Sequence, residues 1–146
     1  MLGMLLAVGC ASGPPKPPTI AGSVVASPAL NLDVRQRASP VVLRLYELKS
    51  AALFEAADFV SLFDKDQATL AGEMLGREEL VMQPGETRAI AARPLSPDAK
   101  FIGVMAAFRD LERARWRAVV PVVPARTNVL LIQLDASAVQ ASATPR

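Results

Sequence analysis

Short apolar runs recur along the chain with the period of β-strands. In residues 41–48, Val41, Leu43 and Leu45 share one face of the chain and polar residues interrupt the other. Successive side chains of a strand point to opposite faces, so this alternation predicts a strand with one face in a core. The same reasoning predicts strands over residues 19–26, 41–48, 79–83, 87–92, 101–109, 114–120 and 128–135.

The period changes between residues 50 and 75. Apolar residues are spaced i, i+3, i+4 in residues 59–63, and again with a shifted phase in residues 70–75. This spacing is typical of the buried stripe of a helix and predicts two short helices, broken around residues 64–66. Asp66 is a plausible N-cap of the second helix, and Gly76 fits just past its C-terminus.

About seven strands with one helical insertion predict a mainly β protein, a two-sheet sandwich with a helical excursion at about residues 50–75. In the strand over residues 114–120, Trp116 alternates with arginines and is expected to point inward. Arg113, Arg115 and Arg117 then form a basic stripe, which we interpret as a solvated outer face, the alternative being contact with anionic lipid headgroups or with a partner. Residues 136–146 are small and polar and are expected to be a frayed, flexible tail.

Composition excludes several classes of function. The 146 residues include 16 Lys and Arg and 14 Asp and Glu, a net charge of only +2, whereas a nucleic-acid binder needs a concentrated basic face. There is no histidine, so the commonest general base and metal ligand are missing. A single cysteine excludes an internal disulfide. We therefore expect a protein that is not an enzyme and that uses neither metal nor cofactor.

The only cysteine, Cys10, ends an apolar run and is followed by small residues, as in a bacterial lipobox. The run fits the apolar region of a signal peptide, about 7–15 residues, and is too short for a membrane span of about 20. We expect residues 1–9 to be a signal peptide and Cys10 to carry acyl chains, the alternative being a chance leader-like run. No Lys or Arg precedes the run, which favours a start codon upstream of Met1.

Residues 13–18 read Gly-Pro-Pro-Lys-Pro-Pro. Proline-rich segments extend by about 3.1 Å per residue, which makes these six residues a stiff spacer of roughly 19 Å. A spacer beside a lipid site holds a domain away from a membrane. The predicted organisation is thus a lipidated tether over residues 10–18, a sandwich domain over 19–135 and the tail over 136–146.

A long irregular segment, residues 28–40, connects the first two predicted strands. Connections of this length are usually functional or disordered. Leu30 and Leu32 have no obvious core to enter and lie among charged residues, a pattern that suits a protein contact. The alternative is that the two leucines cover the open end of the sandwich.

An ordered set of motifs behind the lipobox resembles the type VI secretion lipoprotein family TssJ, also called SciN. The motifs are Ser27-Pro28-Ala29-Leu30-Asn31, the run from Ser39 to Leu48, residues 54–66, the run from Leu80 to Glu86, the run from Ile102 to Asp110, and Trp116-Arg117. The resemblance implies a transthyretin-like sandwich with a helical element, anchored in the outer membrane and facing the periplasm. It also implies binding to the periplasmic domain of the inner-membrane protein TssM. Ala11, which follows the cysteine, agrees with sorting to the outer membrane.

The family's partner-binding loop corresponds to the segment after the first strand, with Leu30, Asn31 and Leu32 expected at the centre of the contact and Arg35 and Arg37 at its rim. Two other functions stay open: a periplasmic binding or chaperone-like lipoprotein unrelated to secretion, and an envelope hydrolase, which the missing histidine disfavours. The predicted partner-binding residues are Pro28, Ala29, Leu30, Asn31, Leu32, Asp33, Val34, Arg35, Gln36, Arg37, Ala38 and Ser39.

Overall fold

The structure, a computed structural model, describes residues 9, 10 and 12–146. The predicted signal peptide therefore lies, except for Gly9, outside the described residues. The strands are β1 (Thr19–Ala26), β2 (Val41–Leu48), β3 (Met74–Met82), β4 (Thr87–Pro94), β5 (Phe101–Ala106), β6 (Arg117–Pro121), β7 (Thr127–Leu134) and β8 (Val139–Pro145). Between β2 and β3 lie α1 (Ala52–Ala56), α2 (Phe59–Asp64), α3 (Asp66–Leu70) and a 3-10 turn (Ala71–Glu73).

The strands form two four-stranded sheets, in the orders β4-β1-β7-β8 and β3-β2-β5-β6. Neighbouring strands are antiparallel except β1 and β7, which are parallel. The main core lies between the sheets, where residues such as Leu43, Val104 and Ile132 are fully buried. This arrangement confirms the prediction of a mainly β, two-sheet sandwich with a short helical insertion.

A second, smaller core lies between the helices and the outer face of the β3-β2-β5-β6 sheet. Its strand residues are Tyr46, Leu48 and Met105, and its helix residues are Phe54, Leu62 and Leu70. Gly103 permits this packing, because a Cβ there would lie 3.0 Å from the Phe54 ring. Strand β2 is consequently covered on both faces, by the opposite sheet on one side and by the helices on the other.

The predicted details of the helical insertion are partly wrong. The chain breaks at Lys65 as expected, but Lys65 and not Asp66 is the N-cap position of α3. Gly76 lies inside β3, and not past the end of a helix. The apolar pair Met74-Leu75 continues the helical spacing by chance, since both residues belong to the strand that pairs with β2.

The prediction of a frayed tail over residues 136–146 is also wrong. Residues 139–145 form β8, which pairs with β7 along its whole length. Val139 is 3% exposed, and Ala141 and Ala143 pack against the main core. The domain therefore continues beyond residue 135. Small residues at alternating positions are enough to form this strand, because an edge strand covers only a narrow strip of the core.

The predicted stripe of three arginines is reduced to two. Arg113 and Arg115 are exposed, but the Arg117 guanidinium lies 4.4 Å from the centroid of the Trp116 ring. Its Nη1 donates to the carbonyl oxygens of Phe54 (2.9 Å) and Ala57 (2.6 Å). Strand β6 begins only at Arg117, and Trp116 is half-buried. The helices cover part of this face and leave Arg117 half-buried, which the alternation of the strand alone did not indicate.

Candidate functional site

The strand directions place four connections at one end of the sandwich. We call this the loop end; it consists of the β1–β2 loop (residues 27–40), the β3–β4 turn (83–86), the β5–β6 loop (107–116) and the β7–β8 turn (135–138). The chain enters β1 at the opposite end. We call that the tether end, and it includes the start of the β2–β3 connection (residue 49), the β4–β5 loop (residues 95–100) and the β6–β7 loop (122–126).

The root of the β1–β2 loop is buried. Leu30 is fully buried and belongs to the main core between the sheets. Its N–H donates to the Ser27 carbonyl (3.0 Å), and its carbonyl accepts from the Ser39 N–H (2.9 Å). The expectation that Leu30 lacks a core and lies at the centre of a contact surface is therefore wrong. Leu30 seals the end of the sandwich, because the loop folds back across it.

Asn31 braces this end from inside. It is 2% exposed and has a φ of +46°, a conformation that asparagine adopts more readily than most residues. Its Nδ2 donates to the Pro40 carbonyl (2.8 Å), and its Oδ1 accepts from the Arg109 N–H (2.9 Å). Its own N–H donates to the Asp135 carbonyl (3.1 Å). Asn31 thus joins three connections of the loop end, and its placement as a central contact residue is also wrong.

The tip of the loop is a closed turn built on Asp33. Asp33 Oδ1 accepts from the N–H groups of Arg35 (2.8 Å) and Arg37 (3.0 Å), and Oδ2 accepts from Arg37 Nε (2.9 Å). The Gln36 N–H donates to the Asp33 carbonyl (2.9 Å), with Gln36 at a φ of +61°. The bond from the Arg37 N–H is the main reason that the pKa of Asp33 lies below its ordinary value.

This turn presents Val34 to solvent. Val34 is 98% exposed, whereas the next most exposed large apolar residue among the described residues, Val60, is 63% exposed. Of the predicted partner-binding residues, the structure buries Leu30, Asn31 and Ser39 and half-buries Leu32 and Asp33. The exposed ones are Pro28, Ala29, Val34, Arg35, Gln36, Arg37 and Ala38.

At the tether end, hydrogen bonds fix the point where the chain enters β1. Cys10 is exposed. The Pro18 carbonyl accepts from the Leu95 N–H (2.8 Å), and the Thr19 N–H donates to the Arg126 carbonyl (2.9 Å). Asn128, fully buried, donates from Nδ2 to the carbonyls of Thr19 (3.4 Å), Val123 (3.1 Å) and Arg126 (3.2 Å). Sequence reasoning missed Asn128, whose one signal is a polar residue at a buried position of an apolar strand.

A third polar cluster ties the helices to β2 and β3. The carboxylate of Asp66, a residue 6% exposed, accepts from the Tyr46 hydroxyl (3.2 Å) and from Arg77 Nη1 (2.5 Å). Arg44 donates from Nη1 to the Phe63 carbonyl (2.7 Å) and from Nε to Glu79 (2.6 Å). Burial alone would raise the pKa of Asp66, but the hydrogen bond and charge of Arg77 lower it overall. Every member has a partner, so the cluster is a structural brace.

The described part of the chain contains no group of three or more His, Cys, Asp or Glu that could hold a metal ion. None of its helices is long and apolar enough to cross a membrane.

Comparison with known proteins identifies relatives. The family model described as type VI secretion lipoprotein (VasD, EvfM, TssJ) matches residues 18–137. The lipoprotein TssJ1 from Pseudomonas aeruginosa is 40% identical, with a TM-score of 0.84 over 91% of this chain and 99% of the other. No curated protein sequence matches significantly.

Two further solved structures are similar. Serratia marcescens Lip, a membrane-bound component of the type VI secretion system, is 22% identical, with a TM-score of 0.77 over 85% of this chain and 96% of the other, and supports the fold alone. A chain in the structure of the T6SS protein TssM C-terminal domain (869-1107) from EAEC is 30% identical, with a TM-score of 0.71 over 84% of this chain and 99% of the other.

Proposed function

The chain belongs to the type VI secretion lipoprotein family, and on that basis we propose that it tethers the periplasmic domain of the inner-membrane protein TssM to the outer membrane. The family is a structural component of the secretion system and not an enzyme. In this proposal residues 10–18 are the tether, acyl chains on Cys10 are the anchor, and the exposed part of the β1–β2 loop binds TssM.

The observation that carries the proposal is that the tether and the exposed loop tip lie at opposite ends of one strand. Strand β1 has eight residues. At about 3.3 Å per residue it separates the chain entry from the loop by roughly 26 Å. A protein that joins a membrane to a partner needs its two attachment points to face away from each other, and β1 provides this.

One comparison supports the partner. The chain matched in the TssM structure is shorter than the present chain, since 84% of this chain covers 99% of it, whereas the range 869-1107 is much longer. A chain with this fold therefore accompanies the TssM domain there. Its 30% identity extends over most of this sandwich. Family membership favours this role over a chaperone-like role outside secretion.

The anchor requires more than one acyl chain. Each buried methylene contributes about 0.8 kcal/mol, and a single chain gives only marginal attachment. Cys10 is exposed, and residues 12–18 of the tether contain neither helix nor strand. Modifying enzymes can therefore reach the Cys10 thiol.

The partner-binding proposal predicts that Val34→Asp weakens TssM binding by at least about 30-fold. This corresponds to about 2 kcal/mol, the size of a typical interface hot spot. Val34 is 98% exposed, so the melting temperature should not change. The measurement is calorimetric titration of the periplasmic domain of TssM with the chain carrying Cys10→Ser.

Val60→Asp is the matched control, because it places the same charge at another exposed valine, on α2. It should bind TssM with unchanged affinity. Equal affinities of the Val34→Asp variant and the unsubstituted loop would overturn the assignment of the tip.

The anchor proposal predicts that Cys10→Ser, expressed behind a functional signal peptide, moves the protein from the outer-membrane fraction to the soluble periplasm. The membranes are washed in high salt before fractionation, since surface charges are then screened and only the acyl chains hold the protein. Retention of the variant in the washed outer membrane, in cells lacking TssM, would contradict the anchor.

A further inference from the structure

Three basic side chains lie on separate connections of the tether end. Lys49 follows β2, Lys100 precedes β5, and Arg126 precedes β7. All three are exposed. None of them forms an ion pair with another described residue. We call them the tether-end cations.

Backbone hydrogen bonds hold these three connections side by side. The Lys100 N–H donates to the Leu48 carbonyl (2.9 Å), which places Lys100 next to Lys49. The Val122 N–H donates to the Lys100 carbonyl (2.8 Å), and the loop that follows crosses to the other sheet. There the Arg126 carbonyl accepts from the Thr19 N–H (2.9 Å). Lys49 and Lys100 therefore lie side by side at this end of the β3-β2-β5-β6 sheet, and Arg126 lies beside Thr19, where the chain enters the domain.

Acidic residues do little to neutralise this surface. Asp98 is exposed on the β4–β5 loop. Glu73 is half-buried, and its carboxylate accepts from the Leu53 N–H (3.1 Å). Lys16 adds a further exposed base on the tether itself. The tether end consequently has an excess of positive charge, although the whole chain has a net charge of only +2.

We propose that the tether-end cations rest on anionic phospholipid headgroups of the membrane that holds the anchor, and so orient the domain with its loop end away from the bilayer. The proposal rests on the proposed lipid anchor, which brings this end to a membrane. Each Lys or Arg near an anionic membrane surface strengthens binding about fivefold, an effect that falls off within a Debye length. Only residues on the end face come that close.

The tether length is compatible with this contact. From Cys10 to Pro18 there are eight residue steps, which reach roughly 25 Å at the polyproline rise of about 3.1 Å each. The tether can lie along the surface while the tether-end cations touch it. When the contact is released, the same tether limits the departure of the domain.

The test separates this contact from the anchor. The chain without the predicted signal peptide, residues 10–146 carrying Cys10→Ser, is mixed with phosphatidylcholine vesicles that contain or lack phosphatidylglycerol, and the bound fraction is measured by co-sedimentation. We expect binding to the vesicles with phosphatidylglycerol alone, weakening as salt is raised. Lys49→Gln/Lys100→Gln/Arg126→Gln should lower the partition coefficient about 100-fold, from three contributions of about fivefold each.

A matched control removes the same charge from the loop end. Arg35, Arg109 and Arg113 are exposed there, and their triple replacement by Gln should leave vesicle binding nearly unchanged. Equal losses in the two triple variants, or equal binding to both vesicle types, would overturn the proposal. The single variants Lys49→Gln and Lys100→Gln should each lose about fivefold, which keeps the test decisive if the triple variant melts early. A failed anchor shows in cell fractionation and leaves the vesicle result unaffected.

Discussion

Each end of the sandwich is held together by a buried asparagine, and the two ends differ in the arrangement of their charged surface residues. At each end a buried asparagine, Asn31 or Asn128, binds backbone groups of neighbouring connections. At the loop end, acidic residues pair with nearby arginines. These pairs are Asp33–Arg37 (2.9 Å), Glu86–Arg88 (2.5 Å) and Asp110–Arg113 (3.9 Å). At the tether end, Lys49, Lys100 and Arg126 have no such partners among the described residues. Arg35, Arg109 and Arg115 at the loop end also lack ion pairs within the described part of the chain, but more acidic residues lie on the connections around them.

The difference teaches what each surface is suited to recognise. Paired charges hold a loop in one conformation and leave an apolar tip, Val34, to fit a shaped partner. Unpaired cations on long side chains suit a flat, fluid surface of opposite charge, where no single geometry is required. Both ends rest on the same sandwich, so the functions proposed for them differ through a few surface residues.

The largest expected effect is a loss of folding stability when the buried part of the loop end is changed. Leu30→Ala removes a fully buried side chain from the main core and should lower the free energy of unfolding by about 2–5 kcal/mol. Urea denaturation followed by circular dichroism measures it. Leu32→Ala, at a half-buried position, should cost clearly less. If the two substitutions cost the same, Leu30 does not seal the sandwich as described.

The two asparagines allow a direct comparison of the ends. Asn31→Ala and Asn128→Ala each leave buried backbone groups without partners, and each should cost about 1–3 kcal/mol of stability. Only Asn31→Ala should also weaken TssM binding, because it frees the loop that carries Val34. Thermal melts and calorimetric titrations on both variants measure the two effects. A similar loss of affinity in Asn128→Ala would show that binding follows overall stability and not the loop.

The smallest expected effect is a selective loosening of the loop end in acid. The pKa of Asp33 is lowered, chiefly by the Arg37 N–H, so its stabilising contribution is present above the ordinary aspartate pKa of about 3.9. It is lost as the pH falls through the lower folded value. The pKa of Glu86, on the β3–β4 turn, is lowered chiefly by the Gln83 N–H, and it follows the same direction.

Amide hydrogen exchange on acidification measures this loosening. Once the intrinsic pH dependence of exchange is removed, protection at Arg35 and Arg37 should fall before protection in β7 does. Asp33→Asn should abolish the pH dependence at these two amides. Persistent protection well below the folded pKa would show that the turn does not depend on the carboxylate.

The sequence predicted the parts of the fold that depend on local pattern. The bounds of β1 and β2 are as predicted, since alternating apolar residues end at proline-containing segments. Leu30 was misjudged because its neighbours in the chain are polar and its core is made of distant strands. The hydrogen bonds of the two buried asparagines were missed for the same reason, because their partners are distant in the chain. The bond from Arg109 to Asn31 spans 78 residues, and the bond from Asn128 to Thr19 spans 109. Local pattern contains no sign of such pairs.

Strand β1 has one more consequence, which is mechanical. If the lipid holds residue 10 and a partner pulls on the β1–β2 loop, the covalent path between them runs through Thr19–Ala26. A strand rises about 3.2–3.4 Å per residue, close to the fully extended limit of about 3.3–3.6 Å. The backbone of β1 is therefore nearly taut before any force is applied. Tension between the two membranes would be borne by covalent bonds along one strand, and the sandwich around it could remain folded under load.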